Sequence, residues 1–323
     1  MTTPDRIVRA APGLDPDVVE RVVRMALAED LGDPPSDVTS EATIPADQID
    51  SAEIVARAPG VVAGLPVAAA VFAITASWYA PAALSPDVGP TPRADRSRAA
   101  DSADTGGVAA VFEQLVDEGT RVQRGDVLAV VTGPTRALLT AERTALNLLC
   151  RISGVATHTR RWADALAGTK ATVLDTRKTT PGLRALEKYA VRAGGGTNKR
   201  MGLYDVAMIK DNHKLAAGSI TAAYQKVRET FPDVPVQVEV TTLAEAEEAV
   251  EAGADFLLCD NMRPELLREV VQAVGDRAEL EATGNLTLET VAAYAATGVD
   301  YLSVGGLTHS SPILDIAMDL RSR

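Results

Sequence analysis

The second half of this 323-residue chain alternates short apolar runs with helical patterns, and this alternation limits the fold more than any other feature. The apolar runs are residues 171–174, 206–209, 236–240, 256–258, 278–282 and 301–304, and helical patterns occupy 243–252, 264–274 and 288–297. Strands that alternate with helices form parallel sheets. Six units without a dinucleotide-binding glycine motif favour a barrel over an open sheet. We therefore predict a parallel α/β barrel.

The first half of the chain has a different pattern. Apolar side chains recur at helical spacing over residues 17–31, and strand-like segments follow at 52–57 and 61–63. Residues 67–75 fit a short helix, and residues 134–152 fit a long one. Helices and strands without regular alternation indicate a separate α/β unit before the barrel.

Residues 119–133 predict two strands joined by a tight turn at Arg124-Gly125-Asp126. This turn resembles the one in biotinyl and lipoyl carrier domains, so a carrier or scaffold module is a non-enzymatic alternative. No lysine occupies the tip to hold such a group. The segment therefore favours a small β-rich element.

The segment from 77 to 107 differs in composition from its surroundings. Residues 81–107 contain four prolines and almost no large apolar side chain. Such a segment buries too little surface to offset its ordering entropy. We predict a flexible insertion at 77–107, either inert or serving partner contact or regulation.

Composition narrows the classes of partner. The chain has 32 basic and 44 acidic residues and a net charge of -12, which argues against nucleic acid and anionic membranes as partners. Cys150 and Cys259 lack metal-site spacing, which indicates a reduced compartment. Residues 1–17 carry no signal-peptide pattern, and the apolar stretch 61–76 is too short to span a bilayer. We expect a soluble, cytoplasmic protein.

Charged or glycine-rich residues follow nearly every predicted barrel strand. The segments are Asp175-Thr176-Arg177-Lys178, Lys210-Asp211-Asn212-His213, Asp260-Asn261, Thr283-Gly284-Asn285 and Gly305-Gly306, with Glu239 inside the run 236–240. The carboxyl ends of the strands of a parallel barrel meet at one face. The sequence therefore predicts a functional mouth at that face.

Four cations at this mouth predict an anionic ligand. They are Arg177, Lys178, Arg200 and Lys210. Clustered cations are unfavourable unless anions lie among them. At an effective dielectric constant of about 20, each close pair of opposite charges is worth roughly 4 kcal/mol before desolvation. Arginine also matches the planar oxygens of carboxylates and phosphates.

The remaining mouth residues suggest what the anion carries. Thr283-Gly284 and Gly305-Gly306 offer backbone N–H groups to a phosphate, as the last two loops of barrels often do. Glu239 and Asp260 suit ribose hydroxyls, Mg²⁺ or a developing cation. Together these features indicate a phosphorylated sugar that carries pyrophosphate.

Longer motifs resemble those of the quinolinate phosphoribosyltransferases. In chain order they are Glu142-Arg143-Thr144-Ala145-Leu146-Asn147, Ser153-Gly154-Val155-Ala156-Thr157, Asp175 to Arg184 (DTRKTTPGLR), Gly194-Gly195-Gly196 with Asn198 and Arg200, Ile209-Lys210-Asp211-Asn212-His213, Glu239-Val240, Asp260-Asn261, Thr283-Gly284-Asn285, and Gly298-Val299-Asp300 through Val304-Gly305. The resemblance runs from about Asp17 to the C-terminus and is interrupted only by the insertion.

The resemblance implies a fold with two domains. The first would be an N-terminal α/β sandwich at 1–145, to which residues 308–323 return. The second would be a catalytic domain at 146–307, an incomplete parallel α/β barrel of phosphoribosyltransferase type II. It also implies a homodimer with shared active sites. The reaction would be a decarboxylating pentosyl transfer in the de novo biosynthesis of NAD.

The resemblance also implies residue roles. Arg143, Arg177, Lys178, Arg200 and Lys210 would bind the carboxylates of quinolinate and the phosphates of phosphoribosyl pyrophosphate. Glu239 and Asp260 would serve the ribose and Mg²⁺. The segments that include Thr176, Thr283, Gly284, Asn285, Val304, Gly305 and Gly306 would complete substrate binding, and Lys178, Lys210 and Glu239 are the catalytic candidates.

Two positions depart from the pattern of the family. Lys199 stands where histidine is frequent, which puts an imidazole role there in doubt, and Gly306 stands where alanine is usual. A related transferase that uses nicotinate or another small acid without decarboxylation is the alternative enzyme. The number of cations favours the diacid.

Overall fold

The structure, a computed structural model, describes residues 13–79 and 109–321. The predicted insertion lies outside the described residues except for 77–79, which end a helix. The chain forms two compact units. The first takes the described residues of Met1–Thr157, Ala185–Ala193 and Pro312–Arg323, and the second takes His158–Arg184 and Gly194–Ser311. These limits differ from the expected domain limits of 145 and 307.

The described elements follow one another along the chain. Up to the long helix they are α1 (Pro16–Leu31), α2 (Val38–Thr43), β1 (Ile49–Ala56), β2 (Gly60–Val61), α3 (Leu65–Tyr79), β3 (Val111–Gln114), β4 (Arg121–Val122), β5 (Val127–Pro134) and α4 (Thr135–Ala165). After it come β6 (Thr172–Leu174), α5 (Arg184–Ala193), β7 (Ala207–Ile209), α6 (Asp211–Ala217), α7 (Ile220–Thr230), β8 (Val236–Val240), α8 (Leu243–Glu251), β9 (Phe256–Asp260), α9 (Pro264–Val274), β10 (Glu279–Thr283), α10 (Val291–Ala295), β11 (Tyr301–Ser303), α11 (Gly306–His309) and β12 (Ile316–Leu320).

The first unit is built on an antiparallel sheet with strand order β12-β1-β5-β3. β12 pairs with β1, with Ala56 opposite Ile316, so the C-terminal segment lies in the same sheet as the N-terminal strands. Helix α3 is apolar on all sides and almost fully buried, as expected of a core helix. Among the described helices, none has both the length and the hydropathy that crossing a membrane requires.

The two strands predicted on either side of Gly125 form, but they pair with other strands. β4 pairs with β2, whereas β5 pairs with β1 and β3. The turn itself bonds to β1: Gly125 N donates to Ala56 O at 2.8 Å, and Ala56 N donates to Asp126 O at 3.0 Å. These hydrogen bonds hold the turn against β1, so the strands on its two sides pair with different partners.

The long helix α4 extends 13 residues beyond the predicted end at 152. Ser153 and Gly154, which follow that position, are poor helix formers. In the structure a Cβ at Gly154 would overlap Pro312 O, so the glycine allows close packing inside the first unit rather than ending the helix. Tertiary contact overrides the local propensity here.

The second unit contains a parallel sheet with strand order β6-β11-β10-β9-β8-β7. Its six strands coincide with the six predicted apolar runs to within two residues at each end. Among the described residues the edge strands β6 and β7 do not pair with each other, so the barrel is incomplete. This confirms the predicted fold class.

Candidate active site

A cavity of about 940 Å³ opens in the second unit at the carboxyl ends of the parallel strands. Thirteen of the fourteen predicted substrate-binding residues line it, all except Arg143: Thr176, Arg177, Lys178, Arg200, Lys210, Glu239, Asp260, Thr283, Gly284, Asn285, Val304, Gly305 and Gly306. The parallel arrangement brings these segments together although they span 131 positions of the sequence.

The loop after β6 presents Arg177 and Lys178. Thr176 Oγ1 accepts a hydrogen bond from Lys178 N at 3.0 Å, and Lys178 O accepts one from Thr308 Oγ1 at 2.7 Å. Its backbone is therefore held at both polar groups, while its side chain remains exposed. Among the described residues no carboxylate lies within ion-pair distance of the Lys178 ammonium.

The two arginines of the mouth affect each other. Arg200 Nη1 donates to Val206 O at 2.9 Å, which orients the guanidinium. Burial lowers the pKa of Arg200, and the positive charge of Arg177 lowers that pKa further. Arg177 Nε is buried and has no hydrogen-bond partner in the described part of the chain. An anionic ligand would satisfy this donor and relieve the repulsion.

The carboxylates of Glu239 and Asp260 lie on one face of the sheet. Glu239 is paired in register with Leu258, and Asp260 is two positions further along that strand. Residues two apart on a strand point to the same side. Lys210 Nζ lies 3.5 Å from Glu239 Oε2, and Glu239 is almost fully buried.

These two carboxylates fit a magnesium ion that is shared with substrate phosphates. Magnesium prefers oxygen ligands and is commonly bound by one or two carboxylates together with phosphate oxygens. The described residues contain no cluster of three or more acidic, histidine or cysteine side chains suited to a metal ion. Glu239 and Asp260 are therefore the two carboxylates that could hold such an ion together with phosphate oxygens.

Several residues of the predicted phosphate segments have backbone conformations or close contacts that favour glycine or asparagine. Gly284 has φ of 94°, and a Cβ there would overlap Asn261 Oδ1. Asn261 and Asn285 also have positive φ, at 53° and 49°, and Asn285 Nδ2 donates to Asn261 Oδ1 at 3.3 Å. A Cβ at Gly306 would meet no atom within 4 Å, whereas one at Gly305 would lie 2.9 Å from Lys178 Cδ.

The cavity contains further residues that the sequence did not assign to substrate binding. They are His158, Arg161, Trp162, Lys199, Met208, Leu258, Asn261, Leu286, Thr287, Leu288, Glu289, Ser303 and His309. His158, Arg161 and Trp162 recur at i, i+3 and i+4 on α4, a spacing that could have indicated one functional face. Ser303 Oγ is buried without a hydrogen-bond partner among the described residues.

The hydrogen bonds of His158 define its proton position. Trp162 Nε1 donates to His158 Nε2 at 3.2 Å, so Nε2 carries no proton. His158 Nδ1 then donates to Ser311 Oγ at 2.8 Å, and Ser311 donates to Leu307 O at 2.6 Å. Burial lowers the pKa of His158, and the nearby charge of Arg161 lowers it further. The imidazole is neutral and ties α4 to the segment after Gly305-Gly306.

Arg143 belongs to the first unit. It lies on α4 with an exposed side chain, and within the described ranges it makes no side-chain hydrogen bond or ion pair. Burial raises the pKa of the neighbouring Glu142 carboxyl, and the positive charge of Arg143 opposes this rise. The Arg143 guanidinium is therefore available to a ligand or partner.

An incomplete parallel barrel with cations, carboxylates and glycine turns at one mouth defines a type II phosphoribosyltransferase. The chain belongs to the quinolinate phosphoribosyltransferase family, which confirms the predicted resemblance. The family model for the C-terminal domain matches residues 155–319, and the model for the N-terminal domain matches residues 37–83 and 107–153.

Individual relatives agree over nearly the whole chain. The nicotinate-nucleotide pyrophosphorylase [carboxylating] of Mycobacterium leprae is 43% identical over 307 residues, which cover 94% of this chain and 98% of the relative. The crystal structure of NadC from Streptococcus pyogenes is 34% identical with a TM-score of 0.82, covering 95% of this chain and 98% of that chain. The nicotinate-nucleotide pyrophosphorylase structure from Francisella tularensis is 31% identical with a TM-score of 0.81 and the same coverage.

Proposed function

We propose that the chain joins quinolinate to phosphoribosyl pyrophosphate, releasing pyrophosphate and carbon dioxide and forming nicotinate mononucleotide for NAD biosynthesis. The observation that carries this proposal is the cavity itself. One unit brings four cations, two carboxylates and two glycine turns to a single mouth. This set matches two carboxylates, a ribose and its phosphates, and the relative from Mycobacterium leprae is named a nicotinate-nucleotide pyrophosphorylase [carboxylating].

The cations divide between the two substrates. Arg177 and Arg200 stand side by side, close enough for each charge to affect the other, and their forked guanidinium groups suit the carboxylates of a diacid. Lys178 lies beside Gly305, so its ammonium suits an anion held near the glycine turn or the reacting carboxylate. The mouth thus offers a separate cation for each anionic group.

The chemistry requires positioning and charge rather than a protein nucleophile. As pyrophosphate leaves the anomeric carbon, the ribose develops positive charge, which the carboxylates of Glu239 and Asp260 stabilise. The ring nitrogen of quinolinate then forms a bond to this carbon and becomes cationic. The cationic ring accepts the electron pair left by the departing carboxylate, and a proton from solvent replaces the lost carbon dioxide. Glycosylation therefore precedes decarboxylation.

Glu239 and Asp260 would hold Mg²⁺ together with oxygens of phosphoribosyl pyrophosphate. When bound, the ion supplies positive charge that neutralises the leaving pyrophosphate. Lys210 lies 3.5 Å from Glu239, where it limits the negative charge of this site before substrate arrives. The two carboxylates also suit the ribose hydroxyls, so one pair serves both substrate and ion.

We also propose a cytoplasmic homodimer in which Arg143 completes the site of the partner subunit. The guanidinium of Arg143 is exposed and has no side-chain partner among the described residues, which supports this role. An isologous dimer contains two equivalent shared sites. The net charge of -12 argues against nucleic acid and anionic membranes as partners.

The test is an assay of quinolinate consumption by the purified protein with and without phosphoribosyl pyrophosphate and Mg²⁺. We expect consumption only when phosphoribosyl pyrophosphate is present, a requirement for Mg²⁺, and equal amounts of nicotinate mononucleotide and carbon dioxide. Transfer to nicotinate without release of carbon dioxide would instead favour the alternative transferase. Omission of Mg²⁺ without loss of rate would exclude the metal role.

A further inference from the structure

A buried ion pair lies beneath the mouth of the barrel. Lys199 Nζ lies 2.6 Å from Glu281 Oε1, and the two side chains are 10% and 0% exposed. Gln237 Nε2 donates to the other oxygen, Glu281 Oε2, at 2.7 Å. The Lys199 backbone is fixed as well, because its N–H donates to Asp175 Oδ1 at 2.8 Å. Both oxygens of the Glu281 carboxylate are therefore engaged, and only Lys199 supplies positive charge in these contacts.

Glu281 lies in the same row of the sheet as Glu239. Leu258 on β9 is in register with Glu239 on one side and with Glu281 on the other. Two strand spacings separate the two glutamates, which corresponds to about 10 Å between their backbones. Glu239 and Leu258 of this row line the cavity, and so does Lys199. The charge of Glu281 is thus close enough to affect the ligands of the mouth.

Charged groups around the ion pair affect its pKa values, and the pair affects theirs. Burial lowers the pKa of Lys199, Glu281 opposes this effect, and the positive charges of Arg200 and Lys210 lower that pKa again. Glu281 also faces Cys259 and Tyr301, and its charge contributes to the raised pKa of both groups. Arg200 and Lys210 are thus close enough to Lys199 for their charges to act on it, and both line the cavity.

We propose that Lys199 is a positioning residue whose ammonium neutralises Glu281 and so keeps Arg200 and Lys210 available for the anionic substrates. The inference rests on the proposed function and deepens it, because it explains how an acidic side chain is tolerated beneath an anion-binding mouth. A buried charge that loses its partner is strongly unfavourable, whereas replacing both partners by neutral groups is often tolerated. Removing the two charges together should therefore restore the quinolinate affinity that is lowered by removing Lys199 alone.

The experiment compares Lys199→Met, Lys199→Arg, Glu281→Gln and the double variant Lys199→Met/Glu281→Gln. Calorimetry measures quinolinate binding to each full chain, and steady-state kinetics separates KM from kcat. We expect Lys199→Met to weaken quinolinate binding at least about tenfold, since an uncompensated carboxylate repels the diacid. Lys199→Arg keeps the charge and should bind within about threefold of the wild type, as should the double variant. Glu281→Gln leaves no carboxylate there to repel the diacid, so it should not weaken quinolinate binding.

A control is Arg151→Met. Arg151 Nη2 lies 2.8 Å from Glu187 Oε1, the two side chains are 21% and 1% exposed, and neither residue lines the cavity. This variant should lose stability in thermal unfolding while keeping its affinity for quinolinate. The comparison separates the loss of any largely buried ion pair from the loss of the pair beneath the mouth.

Two results would overturn the proposal. Wild-type affinity in Lys199→Met would show that Glu281 needs no neutralisation, and equally weak binding by Lys199→Met and by a folded double variant would show that Lys199 acts on substrate directly. If Lys199→Met does not fold, the double variant decides alone. If the wild type does not consume quinolinate, the proposed function fails separately. In that case inorganic pyrophosphate replaces quinolinate as the probe. We expect the same order of affinities among the variants, because the repulsion acts on any anion.

Discussion

The ammonium of Lys210 lies 3.5 Å from Oε2 of Glu239, at the carboxyl ends of two neighbouring strands. The carboxylate of Glu239 therefore compensates part of the positive charge of Lys210. Lys178 stands across the mouth beside Gly305, and among the described residues it has no carboxylate within ion-pair distance. The sequence made Lys178 the candidate partner of the reacting carboxylate without separating it from Lys210. The lack of a nearby carboxylate in the described part of the chain supports Lys178, and its role stays a prediction.

We expect Lys178→Met to lower kcat/KM for quinolinate at least about 100-fold, because its full charge is available to the substrate. Lys210→Met should cost about tenfold, since part of its charge is already compensated. Steady-state kinetics at saturating phosphoribosyl pyrophosphate measures both. Lys170→Met is the control, because Lys170 is 59% exposed and does not line the cavity. A larger loss for Lys210→Met would reverse the assignment.

The enzyme should discriminate between diacid and monoacid. Nicotinate lacks one carboxylate, so it would leave one cation of the mouth without a partner. We expect nicotinate to be at least about 100-fold poorer than quinolinate in kcat/KM. Parallel assays of the two acids under identical conditions measure this ratio. Equal turnover would contradict the assignment of the diacid.

The two glycine turns should differ in their tolerance of alanine. Gly284→Ala introduces a Cβ at φ of 94° that overlaps Asn261 Oδ1, so it should raise KM for phosphoribosyl pyrophosphate at least about tenfold. Gly306→Ala is the matched control, because its Cβ meets nothing within 4 Å and its backbone is unstrained. This control should keep KM within about twofold. Equal effects would show that steric access to the turns does not govern phosphate binding.

Arg143 should act in trans. We consider co-expressed Arg143→Ala and Lys178→Ala chains, each inactive alone. In a mixed dimer with shared sites, one site carries both defects and the other carries none. Random pairing makes about half of the dimers mixed, so roughly one quarter of wild-type activity should return. The measurement is the activity of mixed dimers purified with two different affinity tags. Inactive mixed dimers would show that Arg143 serves its own chain.

Glu118 should make the stability of the first unit depend on pH. Its carboxylate accepts hydrogen bonds from Gly64 N at 2.6 Å, Leu65 N at 2.9 Å and Tyr189 Oη at 2.6 Å. Burial raises its pKa above the ordinary value of 4.5, although these hydrogen bonds oppose the shift. The stabilisation linked to the protonated form is therefore complete below pH 4.5 and is lost as the pH rises through the raised pKa.

The measurement for Glu118 is the free energy of unfolding in urea from about pH 4 to about pH 8, for the wild type and for Glu118→Gln. The amide does not ionise. As the pH rises, the free energy of unfolding of the wild type should therefore fall relative to that of Glu118→Gln. The exposed Glu113, on β3 of the same unit, provides the control Glu113→Gln. A difference that stays constant with pH would show that Glu118 does not titrate in this range.

Much of the barrel could be predicted because its signals are local. Strand β8 and helix α9 have the bounds that their patterns predicted, Val236–Val240 and Pro264–Val274. An apolar run and a helical period each depend on neighbouring residues only. Once the strands are parallel, their carboxyl ends meet, which is why thirteen predicted residues line one cavity.

Only the tertiary structure decided the contacts between distant residues. It paired β4 with β2 instead of β5, and it placed Lys199 against Glu281 across 82 positions of the sequence. It also brought His158 to Ser311 over 153 positions and continued α4 past Gly154. The sequence by itself predicted the six parallel strands, three of the helices between them and the polar residues that follow the strands. Which buried charge meets which partner depends on packing between elements, and no local pattern records it.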